Sequence, residues 1–394
     1  MLDCSCRMGR GSRGYALGLL CSLLVAACGP QLAVISMTPT TPSPQGLRSV
    51  EAWEQLFLDR WDAEHDAYFL PESSSGDSAQ LYNLAYGIDG NTAMYRATGN
   101  LQYLDRALLY TTLAIDTARD SWSLPRSQFQ DTYRGWASED PATLGQEVAL
   151  NESYCWRYVT RLLRVIRETP ALYDDPHYRK PYLQLLEFSE KDIFEKWFVR
   201  GPNSYIYREN THMASHWAAI ALNLALMTAD ETRRARYLEV FQNINESLPN
   251  HDSSLRRQLS APAAHAQTLF WNDAWGSSSR PGQDVSHGNG VVAFIVEAHD
   301  VSGVKDLNQE WTDEDVRALA QTLDTVIWPA AGQYAEYVDG SGKGNGWFND
   351  GFMKLGRYSV HLQRRLETHM VGRNTQFYGN AALNVWLLSE TAAQ

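Results

Sequence analysis

The sequence predicts an all-α fold, and three observations point to an (α/α) toroid of six or seven helical hairpins. Apolar residues recur at helical spacing along most of the chain, with almost no strand alternation. Residues 213–227 are apolar on nearly every side, as in a helix that is buried all round. The chain also has 13 Trp and 20 Tyr, many of them near predicted helix starts or in loops. Two concentric rings of helices explain both features, because the inner helices are enclosed and aromatic side chains line the mouth.

Helical periodicity and capping residues place the individual elements. The predicted helices cover residues 50–63, 79–97, 101–118, 144–168, 178–197, 213–227, 231–244, 285–299, 313–327, 350–366 and 375–388. Four of them follow a residue type that caps helices, namely Asp284, Thr312, Asn349 and Asn374. The sequence lacks the 34-residue repeat of a tetratricopeptide solenoid, which argues against that all-α architecture.

The first 27 residues resemble a lipoprotein signal peptide. Three arginines within residues 7–13 precede an apolar stretch at 15–26, which is too short for a membrane span. Residues 24–28 read Leu-Val-Ala-Ala-Cys and resemble the bacterial lipobox, which implies cleavage before Cys28 and a lipid on its thiol. The alternative is an ordinary signal peptide cut after an Ala-x-Ala-like site. We expect an exported protein, anchored at Cys28 to the outer membrane or on the periplasmic or cell surface.

The mature chain is then a tether at 28–46 and a single domain at 47–394. The tether contains Thr-Pro-Thr-Thr-Pro-Ser-Pro, a composition that holds an extended chain. Cys155 is the single cysteine left in the domain, so no internal disulfide and no cysteine metal cluster are expected.

The charge balance excludes one class of partner and constrains another. The whole chain carries a net charge of −12, and loss of the signal peptide, with three arginines and one aspartate, makes it −14. This argues against nucleic acid as a partner. An acidic substrate would need a locally basic cleft, and the alternative for the same side chains is a solvated helix face. The basic residues concerned are Lys343, Lys354, Arg357, Arg364, Arg365 and Arg373.

Two histidine-containing clusters lie where loops enter apolar helices. Asn210, His212 and His216 form the first, and the i, i+4 spacing puts both histidines on one helix face. A zinc pair is the weaker interpretation, because Met213 stands where a zincin has Glu; two hydrogen-bonded core histidines are the other alternative. In the second cluster, Arg280, Asp284, His287 and Asn289 surround two glycines that permit close backbone approach. Its alternative is simple helix packing.

Two further clusters place polar groups beside apolar helices. Asn151, Glu152 and Tyr154 interrupt an apolar helix, so each needs a partner, catalytic or structural. The other cluster follows Trp347, with four side chains at i, i+3, i+4 and i+7 predicted on one helix face, either at the site or on an ordinary helix surface. These four are Lys354, Arg357, Tyr358 and His361.

The first cluster carries a resemblance. An Asn/His pair at the start of an inner helix, followed by Trp-Ala-Ala at 217–219, resembles the α/α-toroid polysaccharide lyases such as alginate and glucuronan lyases. The likeness is spread over roughly residues 80–390 and its motifs are short. It implies that Asn, His or Arg neutralises a uronate carboxylate, while His or Tyr moves the protons of a β-elimination. His212 matches the motif histidine, with Asn210 beside it.

This chain departs from the family pattern in one respect. Some of these lyases have a tyrosine shortly after the arginine, whereas here no tyrosine occurs between Tyr237 and Tyr334. Proton transfer then falls to His287, or to Tyr337 or Tyr358. The predicted catalytic residues are Asn151, His212, His287 and Tyr358. The predicted substrate-binding residues are Asn210, His216, Arg280, Asn289, Tyr337, Trp347 and Arg357.

The sequence therefore predicts a lyase that acts on an acidic polysaccharide, with no metal and no cofactor. A glycoside hydrolase is the first alternative; it needs two carboxylates about 5–10 Å apart, and Asp89, Glu147, Glu152, Asp284 and Asp350 are available. A surface lipoprotein that binds glycans through loop tryptophans is the second. Convergence of His, Arg and Tyr on one cleft would distinguish an enzyme from a binder.

Overall fold

The computed structural model describes residues 46–260, 267–302, 307 and 311–393, and this part of the chain is mainly helical. The all-α prediction is confirmed. The single sheet among these residues has two short antiparallel strands, β1 (Arg119–Asp120) and β2 (Arg134–Gly135). The predicted signal peptide at 1–27, Cys28 and all of the predicted tether except Gly46 lie outside the described residues.

The helices follow one another with short connections and a few long loops. In chain order they are α1 (Val50–Glu64), α2 (Leu70–Ser73), α3 (Leu81–Thr98), α4 (Leu101–Thr117), α5 (Ala149–Glu168), α6 (Pro170–Tyr173), α7 (Pro176–Phe188), α8 (Lys196–Arg200), α9 (Pro202–Tyr205), α10 (Thr211–Met227), α11 (Glu231–Glu246), α12 (Leu255–Gln258), α13 (Val285–Asp300), α14 (Asp313–Gln321), α15 (Val360–Thr368) and α16 (Thr375–Ala393). Wider π-helical turns occur at His65–Phe69, Ser189–Glu195 and Thr322–Ile327, and 3₁₀ turns at Ser78–Gln80, Ser121–Ser123 and Phe352–Tyr358.

Three of the four predicted caps are present. Asp284 accepts a hydrogen bond from the amide of His287 at the start of α13, and Thr312 forms a reciprocal capping box with Asp315 at α14. Asn374 accepts from the amide of Phe377 at the start of α16. These side chains satisfy amides that a helix leaves without an internal partner, which is why the predicted starts agree with the structure.

The predicted helix at 350–366 is confirmed from Val360 onward and is wrong before it. Residues Phe352–Tyr358 form a 3₁₀ helix, Ser359 is extended, and Ser359 rather than Asn349 caps the following helix α15. Gly356 allows the 3₁₀ helix to pack closely against α15, because a Cβ there would lie 2.3 Å from Oε1 of Gln363. The break also separates the face on which Lys354, Arg357, Tyr358 and His361 were expected to lie together.

The long apolar helices pack in a consistent order. Helix α3 contacts α16 and α5, α5 contacts α10, α10 contacts α13, and α13 contacts the 3₁₀ helix Phe352–Tyr358, which contacts α16. A second set lies against these: α1 on α16, α4 on α3, α7 on α5, α11 on α10, and α14 and α15 on the 3₁₀ helix. As expected for residues 213–227, almost every side chain of α10 is buried.

The loop tryptophans differ in burial, although the sequence predicted that aromatic side chains would line the mouth of a toroid. Among the loop tryptophans, Trp136 and Trp271 are buried in the hydrophobic core, Trp275 and Trp347 are half-buried, and Trp122 is exposed. Cys155 is buried and free, and burial raises the pKa of its thiol. Within the described residues, none of the helices is both long enough and apolar enough to cross a bilayer.

Candidate functional site

A pocket of about 420 Å³, including its open mouth, lies at the amino-terminal ends of α10 and α13. Helices α3 and α5, and the loop before the 3₁₀ helix, supply the rest of its lining. Long loops precede α5 and α13, as expected for segments with a function. The pocket brings together residues from four of the sequence clusters.

His212 forms part of the pocket lining in the first turn of α10. Its Nδ1 lies 2.9 Å from Oδ1 of Asp273, and the other oxygen of that carboxylate accepts from the Asn210 amide. Burial lowers the pKa of His212, although the Asp273 carboxylate acts in the opposite direction. A neutral imidazole held through Nδ1 presents Nε2 as a proton acceptor.

His287 occupies the matching position in the first turn of α13. Its Nδ1 lies 2.8 Å from Oδ2 of Asp284, and its side chain is 61% exposed. Hydrogen bonding to the Asp284 carboxylate raises the pKa of His287. The same contact lowers the pKa of Asp284, so the pair favours an imidazolium beside a carboxylate.

The two imidazoles lie directly against each other. Their ring centroids are 4.5 Å apart and their planes are inclined by 34°. Each ring is held through Nδ1 by its own carboxylate, and the environments move the two pKa values in opposite directions. Pairs of titratable groups with pKa values pushed apart are the arrangement that acid–base catalysis uses.

His216 lies one turn below His212 and also lines the pocket. It is 2% exposed, its Nδ1 has no hydrogen-bond partner within the described part of the chain, and burial holds its pKa well below the usual value. Gly290 on α13 passes close to it, because a Cβ there would lie 3.0 Å from Nε2 of His216. The glycine predicted to allow close approach therefore brings the two histidine-bearing helices together.

Aromatic side chains form another wall of the pocket. Tyr82 and Tyr154 stack with centroids 4.1 Å apart, and Tyr154 meets His216 edge-on at 5.5 Å. The Tyr154 hydroxyl donates to that of Tyr86 at 3.3 Å, and Tyr86 in turn contacts Trp347. Burial raises the pKa of Tyr154 well above its usual value, so its phenol stays protonated and acts as a donor.

A buried ion pair underlies this wall. Arg157 donates to Asp350 at 2.5 Å, Tyr158 donates to the same carboxylate, and the Arg157 guanidinium lies 4.4 Å from the Tyr154 ring centroid. Nη1 of Arg157 is buried without a partner among the described groups. Asp350 lines the pocket, but its charge is matched by Arg157.

Further buried charges link the pocket floor to the surrounding helices. Asp89 on α3 pairs with Lys354 and Arg161, and it accepts from Gln376 and Asn380 on α16. The Asp89 carboxylate thus receives donors from several elements, and the network ties α3, α5 and α16 together, although Oε1 of Gln376 and Oδ1 of Asn380 are buried without a partner among the described groups.

Arg208 supplies positive charge at the same end of the molecule. It precedes α10, and its positive charge opposes the rise that burial causes in the pKa of Tyr82 and adds to the fall that burial causes in the pKa of His216. Burial in turn lowers the pKa of Arg208. A partly buried cation next to a pocket is the kind of group that attracts an anionic ligand.

Tyr358 and Arg357 lie away from this pocket. The Tyr358 hydroxyl is 3.2 Å from Nδ1 of His299, and Arg357 pairs with Asp300 and Asn384. His299 and Asp300 form the carboxyl-terminal end of α13, about 18 Å along the helix from His287 at 1.5 Å per residue. Neither residue can reach a ligand that touches the histidine pair.

Three other predicted residues lie outside the pocket lining. Asn151 donates to the hydroxyl of Ser78. Arg280 stacks on Phe270 at 3.4 Å, with Asp339 at 3.8 Å. Tyr337 pairs with Asp284 through the backbone, and the neighbouring Glu336 raises its pKa.

Asn289 and Asn210 support the site without lining it. Asn289 is fully buried, donates to the carbonyl of Trp347 at 3.0 Å, and accepts from the amides of Gly351 and Phe352. It therefore ties α13 to the loop that carries Trp347. Asn210 holds the carboxylate that orients His212.

The predicted basic cleft is not formed by the residues expected to line it. Lys354 is fully buried against Asp89, Arg365 pairs with Asp324, and Arg373 donates to the carbonyls of Glu367 and His369. Long basic side chains in apolar surroundings take internal partners, which sequence spacing does not reveal.

Asp273 and Tyr82 were not predicted from the sequence. Asp350 was named only as a carboxylate of the hydrolase alternative, and Tyr154 was left open between a catalytic and a structural role. Tyr154 could have been assigned to the site from the sequence, because its hydroxyl interrupts an otherwise apolar helix and therefore needs a partner. The sequence carries no comparable signal for Asp273, because it lies in a loop far from His212 in the chain. The described residues contain no group of three or more His, Cys, Asp or Glu side chains arranged to hold a metal ion.

Comparison with known proteins adds no family assignment. No protein-family model, no curated protein and no solved structure matches this chain.

Proposed function

We propose that this protein is a polysaccharide lyase that cleaves a uronic-acid polymer of the alginate or glucuronan type by β-elimination. The contact between His212 and His287, each held by its own aspartate, is the observation that carries the proposal. A β-elimination needs one group to accept a carbon-bound proton and another to protonate the leaving oxygen. The opposite pKa shifts of the two histidines match these two tasks.

In this mechanism, His212 is the base. Its lowered pKa keeps the imidazole neutral near pH 7, and Asp273 stabilises the imidazolium that forms when Nε2 takes the proton from C5 of the uronate. His287 is the acid. Its raised pKa favours the protonated form, from which Nε2 protonates the oxygen that leaves C4.

The uronate carboxylate needs partners, because C5–H is barely acidic while that carboxylate is fully charged. The buried imidazole of His216 is a neutral donor in the pocket. The phenol of Tyr154 is protonated and becomes a second donor when its hydroxyl turns from Tyr86, which it contacts at 3.3 Å, to the carboxylate. Arg208 and the underlying Arg157 contribute positive potential. Donors placed at a developing enolate are the largest source of catalysis in reactions of this type.

The proposal includes an (α/α) toroid of six hairpins. Its support is the order of helix contacts, in which α3, α5, α10, α13, the 3₁₀ helix and α16 each contact the next and the last contacts the first. The outer partners are α1, α4, α7, α11, α14 and α15. The pocket then lies at one end of the inner ring.

The proposal also includes export and attachment to a membrane through Cys28, which rests on the lipobox-like residues 24–28. The Pro/Thr-rich tether would hold the pocket away from the lipid surface. Acidic polysaccharides outside the cell would then be within reach.

A glycoside hydrolase is the weaker alternative. Asp273 and Asp284 hold histidines, and Asp350 is engaged by Arg157 and Tyr158. No carboxylate among the described pocket residues is left in the free state that a hydrolase acid requires. A glycan-binding protein without activity would have no need for two histidines with opposite pKa shifts.

The test is absorbance near 235 nm, where a 4,5-unsaturated uronate absorbs, with the full-length chain purified in detergent. Alginate, glucuronan, ulvan, hyaluronan and pectate serve as substrates. We expect a rise with at least one polymer and a loss of about 10²–10⁴-fold in rate for His212→Ala and for His287→Ala. His361→Ala, an exposed histidine beside Asp324, is the matched control. New reducing ends without absorbance would indicate hydrolysis instead.

A further inference from the structure

The contact between the two histidines also restricts the stereochemistry of the substrate. We infer that the substrate is a 1,4-linked uronate whose C5 hydrogen and C4 oxygen lie on the same face of the sugar ring, as in D-glucuronate and D-mannuronate. This inference rests on the proposed lyase function and concerns the same pocket. It excludes D-galacturonate, L-guluronate and L-iduronate as the preferred unit, because in these sugars the two groups lie on opposite faces.

The space between the two imidazoles is too small to hold a sugar ring. Groups that act on opposite faces of a sugar ring must enclose it, with each nitrogen about 3 Å from its target atom. The nitrogens would then lie about 6 Å or more apart, with the imidazole centroids farther still. The centroids of His212 and His287 are 4.5 Å apart, so no sugar ring fits between them.

The two imidazoles are also held rigidly in this arrangement. Asp273 holds Nδ1 of His212 at 2.9 Å, and Asp284 holds Nδ1 of His287 at 2.8 Å. His212 is only 6% exposed, and its helix is packed against α13 at Gly290. Swinging the rings apart would break these contacts. Both Nε2 atoms therefore approach a bound sugar from the same wall of the pocket.

The described residues of the aromatic wall provide no competing base. Tyr82 and Tyr154 line the pocket there, and burial raises the pKa of both phenols. A phenol of this kind stays protonated and cannot take the C5 proton. The Asp350 carboxylate in the same lining is occupied by Arg157 and Tyr158.

The reaction follows with its atoms balanced. The C5–H bond breaks and its proton passes to Nε2 of His212, while the electron pair forms the C4–C5 double bond. The C4–O bond breaks, and the leaving oxygen takes the proton from Nε2 of His287. The products are a 4,5-unsaturated uronate and a new reducing end, and proton exchange with water restores the two histidines.

The experiment compares four polymers at equal uronate concentration: polyglucuronate, polymannuronate, polyguluronate and polygalacturonate. The readout is the initial rate at 235 nm with the full-length chain in detergent. We expect polyglucuronate or polymannuronate to be cleaved at least about 100-fold faster than either of the others, since the wrong face removes one acid–base group from reach.

The outcomes separate the two proposals. A comparable or faster rate on polyguluronate or polygalacturonate would overturn the same-face inference and leave the lyase function standing. No absorbance with any of these polymers, nor with the wider panel named above, would overturn the lyase function and this inference with it.

Discussion

Asp284 binds His287 twice: its Oδ1 accepts from the backbone amide at 3.0 Å, and its Oδ2 lies 2.8 Å from the ring Nδ1. One carboxylate therefore starts helix α13 and orients the proposed acid. The start of the helix and the direction of the imidazole are fixed by the same side chain, so a substitution of Asp284 affects both.

Replacing Asp284 by Asn tests this double role. Asn also caps helices, so the start of α13 should persist. The charge that raises the pKa of His287 is lost, and that pKa should fall. The high-pH limb of kcat/KM should then move to lower pH, as measured from pH 5 to 9. Asp313→Asn, beside His299 at the other end of α13, is the control and should leave the limb in place.

The native protein should show a bell-shaped dependence of kcat/KM on pH. Activity falls at low pH as His212 becomes protonated, and its lowered pKa places that limb below the usual histidine value. Activity falls at high pH as His287 loses its proton, and its raised pKa places that limb above the usual value. Because the rings touch, the two limbs report the pair as a whole. A profile flat from pH 5 to 9 would contradict both assignments.

Gly290→Ala should impair activity more than stability. The added Cβ would lie 3.0 Å from Nε2 of His216 and 3.5 Å from Cβ of His212, so these side chains must shift by a few tenths of an ångström. Such a shift should lower kcat/KM by about tenfold. Crowding costs about 1–3 kcal/mol, and the helix preference of Ala returns up to about 1 kcal/mol.

Gly288→Ala is the matched variant on the same helix. Beyond its chain neighbours, one of which is His287, the added Cβ would lie nearest to Trp271 at 3.3 Å, and neither His212 nor His216 is among its three nearest contacts. Activity and melting temperature are measured for both variants. Equal losses of activity would show that the effect of Gly290→Ala is general to the helix and not to His216.

Tyr358→Phe should leave the reaction unchanged. The hydroxyl contacts His299 at the far end of α13, so its removal costs one hydrogen bond, about 1 kcal/mol of unfolding free energy. Urea unfolding measures this loss and the 235 nm assay measures kcat/KM. A large fall in kcat/KM with normal stability would place Tyr358 back among the catalytic groups.

The sequence was most informative where local physics decides the structure. Residues 213–227 are apolar on all sides, and α10 is buried on all sides. Asp284, Thr312 and Asn374 cap the helices that they precede, since a cap acts within three residues. The prediction was wrong for residues 352–358. A 3₁₀ helix and an α-helix both place residues i and i+3 close together, so spacing does not distinguish them. The close packing of Gly356 depends on the tertiary structure.

The pocket was only partly accessible to sequence reasoning. His212, His216, His287 and Trp347 were named, since histidines and tryptophan at the starts of apolar helices are uncommon, and the structure places all four in one lining. Arg357 and Tyr358 also looked functional, but their partners Asp300 and His299 come from a distant segment. The partner of a polar group is a long-range property, so the spacing of residues along the chain does not reveal it.

The pairing of α3 with α16 has a consequence for how the chain is made. Asp89 belongs to α3, yet its partners Gln376 and Asn380 are synthesised 287 and 291 residues later. Until they arrive, Asp89, Lys354 and Arg161 lack their complete set of partners. The nascent chain therefore cannot complete its interior before α16 has been synthesised, and a truncation that removes α16 should leave the charged centre of the protein exposed to proteases.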